Sequence, residues 1–255
     1  MNDYKKELLT AKGIAKEAGV IMLQYFDEDQ NIEFKADNSP VTIADKLINS
    51  LVIQKLSIAF PDDGVIGEEE SNTNYGDGRK WFCDPIDGTI AYVWGVPTAM
   101  FSLGLVVDGK PVIGVAYDPF LDKMYIGETG KKSFCNDKII SVSNLDMKSG
   151  ILAVTSSIKS IRKTEYYQKM IDDNLRLASF SGAVYKSCLV AKGKFVGYIE
   201  KGVNAYDVAA VQVIIEGAGG KITSLENKEL DYLKPFKGAI ISNGIVHDEI
   251  IRYCS

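Results

Sequence analysis

The chain carries one histidine, His247, in 255 residues. That scarcity excludes Ser-His-Asp hydrolases, thiol-His proteases and His-ligated zinc enzymes, since each needs an imidazole among its reactive groups. Beside Asp248 on a polar helical stretch near the C-terminus, His247 reads as a surface residue. Cysteine is sparse too. Cys83, Cys135, Cys188 and Cys254 have neither the C-x-x-C spacing of a zinc site nor the density of a secreted disulfide framework, so free thiols in a reducing cytoplasm are expected. No apolar run approaches the ~20 residues of a membrane span, and Met1 to Thr10 mixes Asp3 and Glu7 with lysines where a signal peptide is apolar. The expectation is a cytoplasmic protein with no membrane partner. Positive charge is also in deficit. Lys+Arg of 29 against Asp+Glu of 34 gives a net charge of -5, opposite to the footprint of phosphate-backbone binding, and nucleic acid is not an expected partner.

Prolines number only seven and 46% of residues are hydrophobic, which supports a packed globular chain without a disordered tract. Apolar residues at helical spacing run from Leu8 to Tyr25 and from Ile43 to Phe60, so two amphipathic helices open the chain. Between them, the polar stretch from Phe34 to Pro40 marks a loop, with Thr42 placed to cap the second helix. From Val65 the pattern changes to short strand-like segments, and Asp108-Gly109 is a two-residue hairpin signal. The second half alternates helix-like stretches (Glu165 to Ile171, Ala183 to Ala191, Tyr206 to Gly217) with strand-like ones (Phe195 to Ile199, Lys221 to Thr223, Ala239 to Ile241). An α+β class with mixed sheet follows, and a polar segment at 141–150 divides residues 1–145 from residues 146–255.

The chemistry concentrates where Trp81-Phe82-Cys83 runs into Asp84-Pro85-Ile86-Asp87-Gly88-Thr89. Two partly desolvated carboxylates at the end of a buried strand cost several kcal/mol each if unpaired, whereas a hard divalent cation takes such oxygens as ligands. Pro85 fixes the turn and leaves the Ile86 carbonyl free, while Gly88 admits a close ligand and the Gly88 and Thr89 amides suit phosphate oxygens if a helix starts there. Glu68-Glu69-Glu70, after another short strand, adds acids. Competing motifs fail on spacing. Asp84 and Asp87 are three apart where haloacid dehalogenase-type phosphatases have Asp-x-Asp. An EF-hand from Asp27 would need glycine at Ile32 and glutamate at Asn38, so that stretch reads as a helix C-terminus. There is no G-x-x-x-x-G-K-[ST], and Gly217-Ala218-Gly219-Gly220 lacks the G-x-G-x-x-G spacing.

Gly67-Glu68-Glu69, Asp84-Pro85-Ile86-Asp87-Gly88-Thr89, and Tyr206-Asp207-Val208-Ala209-Ala210 leading to Glu216-Gly217-Ala218-Gly219-Gly220 together resemble the three signatures of the inositol monophosphatase family. The resemblance implies a five-layer α-β-α-β-α sandwich that hydrolyses small phosphate monoesters with two or three Mg2+ ions. It implies Glu68, Asp84, Asp87, Asp207 and the Ile86 carbonyl as metal ligands, with Glu69 as an outer or third-metal group. Thr89 and Glu68 would guide the attacking water, with Asp45 accepting from the threonine hydroxyl. Gly88 and Thr89 would meet the phosphate, and Lys35 matches a basic residue on a mobile loop. Ser181-Gly182-Ala183 matches a substrate-contacting turn and Glu200 a residue that holds a substrate hydroxyl. Tyr206 in place of tryptophan, Asn204 in place of a histidine, Ile90 in place of a polar residue and the reversed Ser181-Gly182 order bear on the substrate and not on the reaction. The resemblance places myo-inositol monophosphate first and histidinol phosphate second, ahead of fructose bisphosphate, 3'-phosphoadenosine phosphates and NADP, and it implies a homodimer. A metal-binding regulatory module is the non-enzymatic alternative; its mark would be a broken ligand set, and here the set is whole.

Overall fold

The computed structural model describes residues 4–26, 28, 32–34, 40–72 and 78–254. Helix α1 (Lys5–Tyr25) is followed by strands β1 (Glu33–Phe34) and β2 (Pro40–Val41), helix α2 (Ile43–Ala59), and strands β3 (Gly64–Gly67), β4 (Ser71–Asn72) and β5 (Arg79–Asp87). Helix α3 (Thr89–Val93) leads into β6 (Met100–Val107), β7 (Lys110–Asp118), β8 (Lys123–Glu128), β9 (Phe134–Cys135) and β10 (Lys138–Ile139). Next come β11 (Ile151–Val154), α4 (Ile158–Lys163), α5 (Glu165–Asp172), β12 (Arg176–Ser179) and α6 (Ala183–Ala191). The chain closes with β13 (Gly197–Glu200), α7 (Ala205–Gly217), β14 (Lys221–Thr223), β15 (Ala239–Ser242) and α8 (His247–Cys254).

Among the described residues β1 and β2 form a small ribbon, and the other strands form an eight-stranded sheet, ordered β10-β9-β8-β7-β6-β5-β3-β4, and a five-stranded sheet, ordered β12-β11-β13-β15-β14. Strand periodicity sets the layers, because successive side chains leave opposite faces. On β5, Trp81 and Cys83 join Ile14, Met22, Ile48 and Leu56 of α1 and α2, while Phe82 between them joins Val208, Val211 and Ile214 of α7. The smaller sheet divides likewise. Tyr198 and Ile241 face α6 and α7, and Ile199 and Ile240 pack with Tyr167 and Met170 of α5 and Ile250 of α8. The result is the five-layer α-β-α-β-α order. Being the middle layer explains why α7 is apolar almost all round from Val208 to Ile215. It sits directly on the large sheet: a Cβ at Gly114 would lie 2.1 Å from the Ala210 carbonyl oxygen.

The hairpin signal holds, since β6 and β7 pair across Asp108 and Gly109, whose positive φ values of 49° and 77° match a primed turn. His247 is a correction. It is 1% exposed, with Nδ1 2.9 Å from the Ser242 hydroxyl and Nε2 3.0 Å from that of Thr223. The adjacent polar residues belong to the outer face of α8, and the fold turns the imidazole inward onto β14 and β15. Burial lowers its pKa from 6.5 to about 4, helped by Lys221 and opposed by Asp248. A depressed basic pKa means the neutral ring is favoured on folding, so this stabilisation is complete above pH 6.5 and drains away as pH falls towards 4, in all about 3 kcal/mol. Urea unfolding at pH 7.5 and 4.5 should therefore show wild type losing about 2–3 kcal/mol more than His247→Gln. Equal losses would remove His247 as the acid-sensitive group.

Candidate active site

Asp84 and Asp87 would leave opposite faces of a regular strand, being three residues apart. The pairing of β5 with β6 slips between them, with Asp84 opposite Ser102 and Asp87 opposite Met100. This bulge inserts one residue at Pro85-Ile86 and turns both acids to the same side, as bulges commonly do beside functional sites. Asp207, on the first turn of α7, completes the group: ligand-type oxygens of Asp84, Asp87 and Asp207 all lie within 4.8 Å of one another. Glu68 follows β3, which runs parallel to β5, and its amide bonds the Cys83 carbonyl at 3.1 Å, bringing its side chain to the same strand end.

Asp45 and Asp207 are held in the same way. Each is the third residue of its helix and accepts from the backbone of the residue before it: Asp45 from the Thr42 N–H at 2.8 Å and hydroxyl at 2.6 Å, Asp207 from the Asn204 N–H at 2.5 Å. Asp87 is anchored at longer range. Its Oδ1 accepts from the Ala183 amide at 2.8 Å and its Oδ2 from the Val184 amide at 2.8 Å and the Tyr185 amide at 3.4 Å, so a residue of the large sheet caps helix α6. Close approach of Gly88 and Gly182 permits this. A Cβ on Gly88, whose φ is +84°, would lie 3.1 Å from the Gly182 Cα.

Burial, then mutual repulsion, holds the carboxyl of Asp84 well above the usual carboxylate range. Burial raises Asp207 similarly and Asp45 to about 7, and lifts Asp87 to about 6 against the three amides and Lys186. Asp84 Oδ1 and Asp45 Oδ1 are buried with no hydrogen-bond partner. Orphaned carboxylate oxygens beside like charges are what a hard cation satisfies, and an all-oxygen set fits magnesium, manganese or calcium better than a soft metal. The residues present thus fit a metal site.

Beside the acids lies a cavity of about 550 Å³ lined by Glu68, Asp87, Gly88, Thr89, Ile90, Ser181, Gly182, Ala183, Glu200 and Asp207. Sites of that size take small metabolites. The structure therefore brings most of the expected site together. Asp84, Ile86 and Asp45 lie buried beneath, and Glu69 is half-buried, close enough to Asp45 to raise its pKa. Lys35 lies outside the described residues, as do Asp27 and Asn31. One contact differs. The Thr89 hydroxyl donates to the Ile86 carbonyl at 3.0 Å and not to Asp45, whose Oδ2 accepts from the Thr42 N–H and hydroxyl while its Oδ1 has no hydrogen-bond partner.

Sequence reasoning missed Lys186. This lysine is 2% exposed, lines the cavity, donates to the Val154 carbonyl at 3.2 Å and stands 4.3 Å over the Tyr198 ring. Burial lowers its pKa to about 8, with Glu200 and Asp87 opposing. The available signal was a lone lysine on a stretch, Val184 to Ala191, that is otherwise apolar or small. Thr155, Ser156, Ser157 and Ser160 at the start of α4, with Lys201 and Lys237, also line the cavity and carried no motif.

A model of the inositol monophosphatase family matches residues 3–255. Histidinol-phosphatase of Mycobacterium tuberculosis is 32% identical, the match covering 96% of each chain. Fructose-1,6-bisphosphatase/inositol-1-monophosphatase of Aquifex aeolicus is 31% identical over 99% of this chain and 96% of its own. Among solved structures, Thermotoga maritima IMPase superposes with a TM-score of 0.88 at 27% identity, covering 97% of this chain and 96% of that one. With the acidic cluster, the flanking cavity and these likenesses in agreement, the chain belongs to the inositol monophosphatase family and is a phosphoric monoester hydrolase.

Proposed function

We propose that the protein is a magnesium-dependent phosphatase whose leaving group is a small polyol, with myo-inositol monophosphate as the simplest substrate and histidinol phosphate as the second reading. The observation that carries it is the convergence of Asp84, Asp87 and Asp207 within 4.8 Å beside a cavity holding Glu200. In this reading Glu68, Asp84, Asp87, Asp207 and the Ile86 carbonyl hold two or three Mg2+ ions, with Glu69 adjacent. When bound, magnesium supplies Lewis-acid polarisation and a more acidic water.

The chain's own groups do the rest. Glu68 takes a proton from the water and Thr89 orients it through its hydroxyl, which its bond to Ile86 keeps beside the acids. The Gly88 and Thr89 amides receive phosphate oxygens, and Ser181, Gly182 and Ala183 shape the far wall, the Ala183 amide being engaged by Asp87. Glu200 accepts from a hydroxyl of the leaving group; the Lys201 and Gly202 amides hold its Oε1 at 3.0 and 3.3 Å. Phosphoryl transfer depends on such positioning and charge neutralisation more than on a protein nucleophile, so a site without histidine is sufficient. The same reading makes the protein a cytoplasmic homodimer.

The test is phosphate release from inositol 1-phosphate, histidinol phosphate, fructose 1,6-bisphosphate, adenosine 3',5'-bisphosphate and NADP, each with magnesium and with EDTA. Magnesium-dependent release, led in kcat/KM by a polyol phosphate, is expected. Silence throughout in folded, magnesium-stabilised protein would favour the regulatory module, and a lead for histidinol phosphate would overturn the polyol assignment.

A further inference from the structure

Helix α2 buries Ala44, Asp45, Ile48, Asn49, Val52 and Leu56. Ala44, Ile48, Val52 and Leu56 join the apolar core, whereas Asp45 and Asn49, one turn apart on the same side, are polar. Asn49 is 1% exposed, and its Nδ2 donates to the Glu70 carbonyl at 3.0 Å while its Oδ1 is buried without a hydrogen-bond partner. An unpaired buried amide oxygen is a cost that a leucine of similar shape would not carry. What the asparagine adds in return is its bond to Glu70.

The segment it reaches, Gly67-Glu68-Glu69-Glu70, joins β3 to β4 and sets three carboxylates side by side. Like charges at that spacing push a turn open. The strand that follows gives little restraint, because β4 has two residues, lies at the sheet edge and pairs with β3 only at Val65↔Asn72 and Ile66↔Ser71. The turn is instead fixed from outside. At its start the Glu68 amide bonds the Cys83 carbonyl at 3.1 Å, next to Asp84, and at its end the Asn49 amide holds the Glu70 carbonyl. The inside of the turn is fitted to that amide: a Cβ at Gly67 would collide with the Asn49 Oδ1 and lie 2.5 Å from the Glu70 carbonyl oxygen. Asp45, one turn earlier on α2, is near enough to Glu68 and Glu69 for their charges to act on it.

We propose that Asn49 is a positioning residue for the metal ligand Glu68, its amide tying the acidic turn to α2 and so setting where the Glu68 carboxylate meets magnesium. The proposal rests on the magnesium reading above and adds to it a residue that does not line the cavity. Groups that orient a ligand from behind act on metal affinity first, and on turnover through it.

The experiment uses the full chain and follows its melting temperature, without substrate, as magnesium is added to metal-free protein. Asn49→Leu, which keeps the volume and removes the hydrogen bond, should need about tenfold more magnesium or above for the same rise in melting temperature. The magnesium that half-saturates phosphate release should shift likewise, with a smaller loss of kcat at saturating metal. Should Asn49→Leu fail to fold, Asn49→Ala carries the same expectation. Val52→Ala, three residues on in the apolar part of the same helix face, should lower the melting temperature in EDTA and leave both magnesium curves in place. Wild-type magnesium curves in the Asn49 variants, or an equal shift in Val52→Ala, overturn the positioning role while leaving the phosphatase reading standing. A wild-type protein that magnesium neither stabilises nor activates overturns the magnesium reading and the positioning role with it.

Discussion

Asp84→Asn should make the metal-free protein more stable, by about 1–2 kcal/mol, while removing its stabilisation by magnesium and lowering turnover at least about a thousandfold. Asp84 is 2% exposed, its Oδ1 has no hydrogen-bond partner, and Glu68, Asp87, Asp207 and Asp45 all oppose its charge. In the absence of a cation the carboxylate is a net cost, kept for function, and the amide has the same shape without the charge. Urea unfolding with EDTA and with magnesium, alongside phosphate release, separates the terms. A variant less stable than wild type in EDTA would mean that the side-chain hydrogen bond between Asp84 and Asp207 outweighs the repulsion in the free protein. Magnesium stabilisation equal to wild type would remove Asp84 from the metal site.

Asp87→Asn should lower turnover as severely and shift metal-free stability the opposite way, by about 2–3 kcal/mol of destabilisation. Both Asp87 oxygens accept backbone amides from the first turn of α6, which lies 96 to 98 residues later in the chain. Asparagine keeps one acceptor and presents an NH2 to the remaining amide, and the negative charge facing the helix N-terminus is lost. That helix carries Lys186 and, ahead of its first residue, the Ser181-Gly182 turn, so the loss reaches the cavity wall as well as the acids. Sequence alone predicts the lost turnover but an intact fold; the capping role is what adds the destabilisation. Two neighbouring acids with equal effects on activity and opposite effects on metal-free stability form a pattern that a general acidic patch does not produce. If Asp87→Asn were as stable as wild type in EDTA, or more so, the assigned cap would not be what docks α6 on the large sheet.

Much of this molecule was legible before any coordinates. The two opening helices follow from their apolar spacing, with Thr42 capping α2 as expected. The β6–β7 hairpin follows from Asp108-Gly109, since the two backbone conformations it needs are cheap only for such residues. The six-residue string from Asp84 to Thr89 points to metal and phosphate binding because its residues meet local requirements: acids to ligate, proline to turn, and the glycine and threonine amides to suit phosphate oxygens.

What depends on local chemistry, namely which residues are acids, which segments are strands or helices and where turns fall, is written in neighbouring residues and could be read directly. What depends on distant segments meeting could not. The outward-looking neighbours of His247 gave no sign that β14 and β15 would enclose its ring. Nothing near Asp87 announces the amides of α6, and nothing near Lys186 announces Glu200 and Asp87. Burial and Coulomb interaction are properties of the assembled chain. The reaction is therefore legible in local motifs, while the charge around the cavity is set by residues that packing alone brings together.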